Sequence, residues 1–468
     1  MRDSSDSLRQ RRVFALFAGL LGFAVAAFAP QIFHDGDSWW HLAAGAWMLD
    51  HHAALKSDVF SFTMAGQPWD AQEWLSEVLM ALSFRSPLIF GGWNGLYLLF
   101  GAATGAAAAI VTYYVCARTA ALPALLISVI GLACISGSLL ARPHLLALPL
   151  LALWTMELLT AREQKRAPGW WLLAVMLLWA NLHGSFAFGL ALAAVFALEA
   201  GIENRAALKG WSLFLISSIA AATLTPQLLH GLLFPFELLV MGSIRNIGEW
   251  APTDLTHLTP FPIALVCLIY LGATGKLKLP PLRGLILLGL CYLALAHVRH
   301  QMLFGIVAPM LIAPVFASER SALTKTERHG GRAWAMAGIG LLALMVVARL
   351  LIPTTRGDDR VTPATALASL PVALRAQPVL NAYDFGGYLI FSGIKVFVDG
   401  RTDLYGDDFL ARYDLMMKPD RKALSEALAR WHIAWTILPQ GPAATMMDTL
   451  PGWHRSYGDA FAVVHIKN

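Results

Sequence analysis

Two aspartates stand one residue apart in the segment 34–41, which reads His-Asp-Gly-Asp-Ser-Trp-Trp-His. A carboxylate can accept the proton of an attacking hydroxyl, and two carboxylates at this spacing can hold a divalent cation such as Mg²⁺ or Mn²⁺ against phosphate oxygens. Asp35 could equally cap the amino end of the helix predicted to run through about His51. Asp37 lies beside a Trp pair and His41, so it is our first candidate for a catalytic base and Asp35 is the second.

A further group of polar residues is scattered along the chain but shares one chemistry. Arginine binds phosphate through two parallel hydrogen bonds, and histidine adds donors whose number depends on pH. Such a set would bind an anionic phosphate or pyrophosphate group. The alternative is that each residue anchors a helix end among lipid headgroups. The candidates for binding that phosphate are Arg142, His144, His183, Arg299 and His300. The other candidates for substrate binding are His41, Asp70, Glu73 and Glu249.

Several common catalytic motifs do not occur in the sequence. It has no Walker loop, Ser-His-Asp order, H-E-x-x-H zinc motif or dinucleotide-binding glycine fingerprint. The glycines of the stretch 101–105 lie in an apolar run, where close helix packing is the expected role. The cysteines also fall in apolar runs, so we expect them to be free, buried thiols. They are Cys116, Cys134, Cys267 and Cys291.

The elements that must position these side chains are membrane helices. Of the 468 residues, 57% are hydrophobic and 14% are charged, which excludes an ordinary soluble protein. Apolar runs of about 20 residues, long enough to cross a hydrocarbon core, recur as far as residue 353. The first run lacks a cleavage site and is too long for a signal peptide, so we predict a retained span. The predicted spans are about 13–33, 95–116, 121–140, 144–161, 169–182, 185–201, 210–228, 261–275, 282–297, 301–318 and 333–352.

The distribution of Lys and Arg predicts the orientation of these spans. Cytoplasmic loops are enriched in Lys and Arg, and the eleven spans follow this rule if the amino terminus is cytoplasmic and the stretch 73–90 is an interfacial helix outside. The first outer loop, 34–94, then carries both aspartates, and the other polar clusters share its membrane face. The helix after Asp37 is expected to lie in the membrane interface, with Trp39, Trp40, Leu42, Trp47 and Leu49 available to contact it.

The chain is predicted to divide into a membrane domain, 1–352, and an electrically neutral outer domain, 353–468, which we call the tail. Alternating apolar residues predict strands at 379–383, 395–399, 434–438 and 461–466, and amphipathic patterns predict helices near 407–417, 420–431 and 442–449. The tail is therefore a small α/β domain. The segment Asp399-Gly400-Arg401-Thr402-Asp403 ends a predicted strand and could contact a ligand, or Arg401 could pair with Asp399 or Asp403.

Several motifs resemble those of one superfamily. They are Gly36 to Leu42, Asp58 to Thr63, Trp69 with Glu73 to Leu75, Ala141 to His144, Trp179 to Gly184, Glu249-Trp250, Asn381 to Tyr388 and Val398 to Arg401. These motifs and the topology resemble the GT-C membrane glycosyltransferases, which include protein O-mannosyltransferases and other family 39-like proteins, and in particular a group of bacterial multi-span proteins with that fold.

The resemblance implies a catalytic role for an Asp of the first outer loop, which here is Asp37. It implies a polyprenyl-phosphate-linked sugar as donor, a glycan, lipid or protein outside the cytoplasm as acceptor, and the bacterial inner membrane as location, with the tail in the periplasm. The mannosyltransferases carry an acidic residue directly after that Asp, whereas this chain carries Ser38.

The sequence thus favours a membrane glycosyltransferase. A transporter or flippase of a lipid-linked sugar and a non-catalytic subunit of an envelope glycan assembly are the alternatives. Transporters often carry internal repeats and place charges near the bilayer midplane, and the sequence shows no convincing repeat. The basic residues are spread over short loops between spans, which argues against nucleic acid as a partner.

Overall fold

The structure is a computed structural model that describes residues 2–86, 91–242, 248–322, 331–354 and 356–468. Before the tail it contains fourteen α-helices in these ranges. They are α1 Arg2–Ala27, α2 Asp37–His51, α3 Trp74–Arg85, α4 Gly92–Cys116, α5 Ala121–Ala133, α6 Pro143–Glu163, α7 Leu172–Leu182, α8 Phe186–Glu203, α9 Arg205–Ala222, α10 Leu229–Val240, α11 Pro260–Ala273, α12 Pro281–Ala296, α13 Gln301–Ile312 and α14 Gly331–Leu351.

Each of the eleven predicted spans overlaps a different helix. In chain order these helices are α1, α4 to α9 and α11 to α14. Within the described ranges, seven helices are long and apolar enough to cross a membrane by length and composition, and four more apolar helices are shorter. This is the helix content of a multi-pass membrane protein. α10 coincides with no predicted span.

Glycines let α1 and α4 pack closely. A Cβ atom on Gly105 would lie 2.7 Å from the Gly19 carbonyl oxygen, and one on Gly22 would lie 2.9 Å from the Ala108 Cβ atom. Small residues permit such approach between apolar helices. The packing role predicted for the stretch 101–105 is confirmed. The four cysteines are free, as expected, but the expectation that all four are buried is wrong, since only Cys134 is buried and Cys267 is exposed.

The helices of the first loop differ from the expectation in their surroundings. α2 runs from Asp37 through His51, as predicted. Trp39, Trp40 and Leu42, however, are buried within the protein, so they do not lie in a membrane interface. α3 falls within the predicted interfacial stretch 73–90, whose residues 87–90 lie outside the described ranges. It packs against the end of α7, where the Ser76 hydroxyl donates to the Leu182 carbonyl oxygen at 2.7 Å.

The tail folds into a four-stranded sheet with helices. Its strands are β1 Val379–Asn381, β2 Trp435–Leu438, β3 Trp453–Gly458 and β4 Val463–Lys467, in the order β1-β2-β4-β3. β1 and β2 are parallel, and the other pairs are antiparallel. Its helices are α15 Ala364–Ala368, α16 Val372–Arg375, α17 Gly386–Phe391, α18 Thr402–Met417, α19 Arg421–Arg430 and α20 Pro442–Asp448. The last three confirm the helices predicted there.

The prediction of a sheet strand at 395–399 is wrong. Val396 instead forms an isolated parallel bridge with Ser61 of the first loop. The Phe62 amide donates to the Val396 carbonyl, and the Val396 amide donates to the Phe60 carbonyl, both at 3.1 Å. The alternating apolar pattern correctly predicts an extended chain, but the hydrogen-bonding partner of this chain is the first loop and not the sheet. β3 was not predicted, because its residues are mostly polar and exposed.

The first loop and the tail share one hydrophobic core. Trp40, Ala44 and Met48 of α2 pack in the same cluster as Leu389 and Ile437 of the tail. Burial of apolar side chains is the main stabilising contribution in such a cluster. The tail is therefore packed onto the first loop through a shared core.

Candidate functional site

A cavity of about 520 Å³ lies between the helix ends and the tail. Every predicted site residue except His300 lines it. These residues are Asp35, Asp37, His41, Asp70, Glu73, Arg142, His144, His183, Glu249 and Arg299. Segments far apart in the sequence thus meet at one place, as the shared membrane face predicted.

The local backbone brings the aspartates to the start of α6. The Ala141 amide donates to the Ile32 carbonyl at 2.7 Å, and the Ser38 hydroxyl donates to the Ala141 carbonyl at 3.0 Å. These two bonds tie the end of the first membrane segment and the start of α2 to the residue before Arg142. Arg142 is the N-cap of α6 and has an extended backbone, so its side chain can reach back to α2.

Arg142 is surrounded by three carboxylates. Its guanidinium binds Asp35 through two hydrogen bonds, of 2.6 and 2.5 Å. It also lies 3.0 Å from Asp37 and 2.9 Å from Glu249. A guanidinium offers five donors in a planar fork, and here three carboxylates from two segments occupy that fork. The prediction that Arg142 binds a phosphate is therefore revised, because Arg142 is an internal ion-pair partner in this structure.

The two aspartates have different environments. Asp35 does not cap α2, since Gly36 is the N-cap residue and no side chain caps it. Burial alone would raise the pKa of Asp35, but the charge and hydrogen bonds of Arg142 outweigh burial and hold that pKa below its ordinary value. For Asp37, burial outweighs the attraction of Arg142, and repulsion from Asp35 adds to it, so the pKa rises to about 7.

The aspartate pair does not fit a divalent cation in this arrangement. Both Asp35 oxygens accept hydrogen bonds from Arg142. One Asp37 oxygen accepts the Trp40 indole N–H at 3.0 Å, and the other faces Arg142. The guanidinium thus lies where a metal ion would have to bind. Throughout the described ranges, no cluster of three or more His, Cys, Asp or Glu residues is placed to hold a metal ion.

Glu73 and Glu77 lie in a second polar network with two histidines. His41 Nδ1 is 2.9 Å from Glu77 Oε1, and His41 Nε2 is 3.8 Å from Glu73 Oε2. The Ser185 amide donates to His183 Nδ1, so the neutral His183 ring carries its proton on Nε2, 3.3 Å from Glu73 Oε1. Burial raises the pKa of Glu73 to about 8. This network can therefore hold and pass protons near neutral pH.

Arg299 differs from Arg142 in its partners. Its guanidinium lies over the Trp250 ring, 4.5 Å from the ring centre, which is a cation–π contact. Among the residues that the structure describes, no carboxylate forms an ion pair with it. Arg299 lines the cavity and is only half-buried. Its donors are therefore available to an anion that enters the cavity.

The remaining predicted residues have mainly positioning contacts. His144 Nε2 donates to the Ser138 carbonyl at 2.8 Å, and Asp70 lies 3.3 Å from His230. The contact between His300 and the substrate stays a prediction. The His300 ring packs edge-on against Trp250 and against His297, with centroids 5.7 and 5.3 Å away, and it does not line the cavity.

The tail supplies further site residues, and the sequence indicated a ligand contact only for the segment 399–403 among them. They are Arg360, Val361, Tyr383, Asp384, Gly400, Arg401, Thr402 and Asp403, and Phe234 and Leu238 of α10 join them. The motifs around 381–388 and 398–401 were the available signal. The charge-paired reading of Arg401 is confirmed, since Arg401 binds Asp399 and also Asp58 of the first loop, each at 2.7 Å.

The comparisons with known proteins add no assignment. No protein-family model matches this chain, and no curated protein was found to be similar to it. The cavity and its residues are therefore the basis for the proposed function.

Proposed function

We propose that this protein is a membrane glycosyltransferase that moves a sugar from a polyprenyl-phosphate donor to a hydroxyl-bearing acceptor. The observation that carries the proposal is that one cavity at the end of an apolar helix bundle holds both the half-buried Asp37 and Arg299, which forms no ion pair with any carboxylate that the structure describes. A base and an anion-binding cation are the two groups that this transfer requires.

Asp37 would act as the general base. The acceptor oxygen attacks the anomeric carbon of the donor sugar, the bond from that carbon to the phosphate oxygen breaks, and the polyprenyl phosphate leaves with the bonding electrons. The acceptor proton passes to the Asp37 carboxylate. A pKa of about 7 suits this role, because the group is substantially ionised near neutral pH and still basic enough to accept the proton.

Arg299 would bind the phosphate. The leaving phosphate gains one negative charge in the reaction, and a guanidinium fixed beside it stabilises that charge. Trp250 keeps the side chain in place from one face of its guanidinium plane, leaving the edge donors for the anion. Arg142 would act indirectly, by orienting Asp35 and Asp37.

The lipid part of the donor would lie in the membrane beside the helices. Arg299 immediately precedes α13, so a phosphate bound there would be at a helix end, where lipid headgroups lie. We place this end, with the tail, on the periplasmic side of the bacterial inner membrane, because the positive-inside rule puts the amino terminus in the cytoplasm. The acceptor would be a glycan, lipid or protein outside the cytoplasm.

The position of the cavity argues against the transporter alternative. Transporters bind their substrate near the bilayer midplane and expose it to each side in turn. Here the candidate residues lie before α6, after α7 and before α13, which are helix ends. The opposite ends carry a different set of ion pairs, such as that of Arg283 with Glu199 at 2.9 Å.

The test is a turnover measurement. Purified protein in detergent would be incubated with a panel of undecaprenyl-phosphate monosaccharides and a membrane extract as acceptor source, and released undecaprenyl phosphate would be measured by mass spectrometry. Release by the wild type and its loss in Asp37→Asn, at unchanged thermal stability, support the proposal. Equal release by both proteins would show that Asp37 is not the base, and no release from any donor would contradict the transferase.

A further inference from the structure

The Gly400 turn and the amino end of α17 in the tail meet the start of α2 with no space between them. A Cβ atom on Gly400 would lie 1.7 Å from Asp37 Oδ1, and one on Gly387 would lie 1.9 Å from the Gly36 carbonyl oxygen. From the other side, a Cβ atom on Gly36 would lie 2.7 Å from the Asp384 carbonyl oxygen. The backbone of the tail is thus in direct contact with the residue pair that carries the candidate base.

Lack of space, not backbone conformation, explains these glycines. Gly36, Gly387 and Gly400 do not adopt the positive φ values that favour glycine. An alanine could take the same backbone conformation at each site, but its methyl group would overlap the neighbouring chain. The contact at Gly400 is the most informative, because the overlapping atom is the Asp37 carboxylate oxygen itself.

A buried ionic cluster holds the Gly400 turn in place. Arg401, the next residue, binds Asp399 and Asp58, and the three side chains are fully buried. The Tyr405 hydroxyl donates to Asp399 at 2.8 Å, and the Trp69 indole donates to Asp403 at 2.8 Å. The first loop and the tail are therefore joined by ion pairs and hydrogen bonds on both sides of Gly400, so this turn has little freedom to move away from Asp37.

We propose that the tail positions the catalytic carboxylate, with Gly400 as a positioning residue whose backbone fixes Asp37 against Arg142 and the Trp40 indole. The site is then complete only when the tail is docked on α2. The proposal depends on the proposed function for the catalytic role of Asp37, and the contact itself can be tested without any substrate.

The tail would then take part in the reaction by bordering Asp37 and contacting the acceptor. Asp37 is bounded by Arg142 from the helix bundle and by Gly400 from the tail, and Tyr383 and Thr402 line the cavity beside it. The Tyr383 and Thr402 hydroxyls are 2.9 Å apart. An acceptor hydroxyl that approaches Asp37 would pass these two tail residues, so the tail would contact the acceptor.

The first test is a double-mutant cycle on the thermal stability of the full chain in detergent. Gly400→Ala should lower the melting temperature in the wild-type background. In the Asp37→Ala background it should lower the melting temperature clearly less, because the methyl group can occupy the space of the missing carboxylate. Gly357→Ala is the matched control, because a Cβ atom there would meet nothing within 4 Å. Equal costs of Gly400→Ala in both backgrounds would overturn the proposal.

If Gly400→Ala alone fails to fold, the double variant decides. Recovery of folded protein in Gly400→Ala with Asp37→Ala supports the contact, and failure to recover overturns it. This outcome is independent of donor binding, so a failed transferase assay and a failed contact can be told apart.

A second measurement follows the site directly. With 5-fluorotryptophan in the chain, the Trp40 signal, assigned with Trp40→Phe, should shift in the ¹⁹F spectrum of Gly400→Ala, because Trp40 Nε1 lies 3.1 Å from the added Cβ position and bonds Asp37. It should stay in place in Gly357→Ala. A Trp40 signal that is the same in Gly400→Ala and wild type would show that the tail does not position this carboxylate.

Discussion

Arg142 binds Asp35 more closely than Asp37. Its Nη2 atom lies 2.5 Å from Asp35 Oδ1, whereas its Nη1 atom lies 3.0 Å from Asp37 Oδ2. This asymmetry accompanies a difference in pKa between two carboxylates that are only two residues apart in the sequence. The pKa of Asp35 falls below its ordinary value and that of Asp37 rises to about 7. Asp35 therefore favours the charged form more strongly than Asp37, which binds a proton more readily.

Arg142→Gln should strongly destabilise the protein. The substitution leaves Asp35, Asp37 and Glu249 close together without their shared cation, and breaking a buried ionic cluster in this way costs about 3–5 kcal/mol. Chemical unfolding in detergent would measure the loss. The control is Arg85→Gln, which breaks an exposed pair with Asp50 and should cost about 1 kcal/mol or less. Similar losses in the two variants would contradict the central position of Arg142.

Glu73→Gln should flatten the pH dependence of stability. Burial raises the pKa of Glu73 from 4.5 to about 8, so ionisation is harder in the folded protein than in the unfolded chain. The stability that this group contributes is complete below pH 4.5 and is lost as pH rises through about 8. The melting temperature of the wild type should fall across this range, and that of Glu73→Gln should fall less.

The control for this experiment is Glu426→Gln, because the Glu426 side chain is 68% exposed. Its melting curve should follow that of the wild type at every pH. Parallel curves for the wild type and Glu73→Gln would show that Glu73 is not the buried acid that the structure describes.

Arg401→Met should loosen the tail from the first loop. Methionine retains much of the side-chain volume but leaves Asp58 and Asp399 buried without their cation, which is costly. Amide hydrogen exchange should increase in the segments 57–64 and 396–403 relative to wild type. Arg455→Gln, which breaks an exposed pair with Asp448, should leave both segments protected. Unchanged protection in Arg401→Met would mean that the apolar core alone holds the tail.

The tail should lie outside the cytoplasm. An alkaline phosphatase fusion after Thr354 is expected to be active, and a fluorescent reporter that folds only in the cytoplasm should be dark at the same position. The matched control is a pair of fusions within the loop after Glu163, which the positive-inside rule places in the cytoplasm and which should give the reverse pattern. The opposite result at Thr354 would reject the orientation on which the choice of substrates depends.

The helices and the members of the cavity could be predicted from the sequence, but their pairings could not. A long apolar run in a membrane forms a helix, because a helix satisfies its own backbone hydrogen bonds. Polar residues at helix ends on the same face are then expected to lie near one another. Which carboxylates take up Arg142 depends on side chains from three distant segments, so residue type suggested a phosphate ligand where the structure shows Asp35, Asp37 and Glu249.

The tail shows the same limit. The segment 395–399 has the alternation of a strand, but its backbone bonds go to the first loop near Ser61. The pattern reports an extended chain and does not report its partner. For the same reason the sequence did not identify Arg360, Val361, Tyr383 and Asp384 as site residues, since their role comes from docking on α2.

The most direct test of the account is the binding of undecaprenyl phosphate to Arg299. The lipid would be titrated against detergent-solubilised wild type, Arg299→Gln and the control Arg85→Gln, with the intrinsic tryptophan fluorescence as readout because Trp250 stacks on Arg299. Loss of a hydrogen-bonded charge is worth roughly 1.5–3 kcal/mol, so Arg299→Gln should bind at least about tenfold more weakly, and Arg85→Gln should bind like the wild type. Equal affinity of the wild type and Arg299→Gln would contradict a lipid-phosphate donor in this cavity.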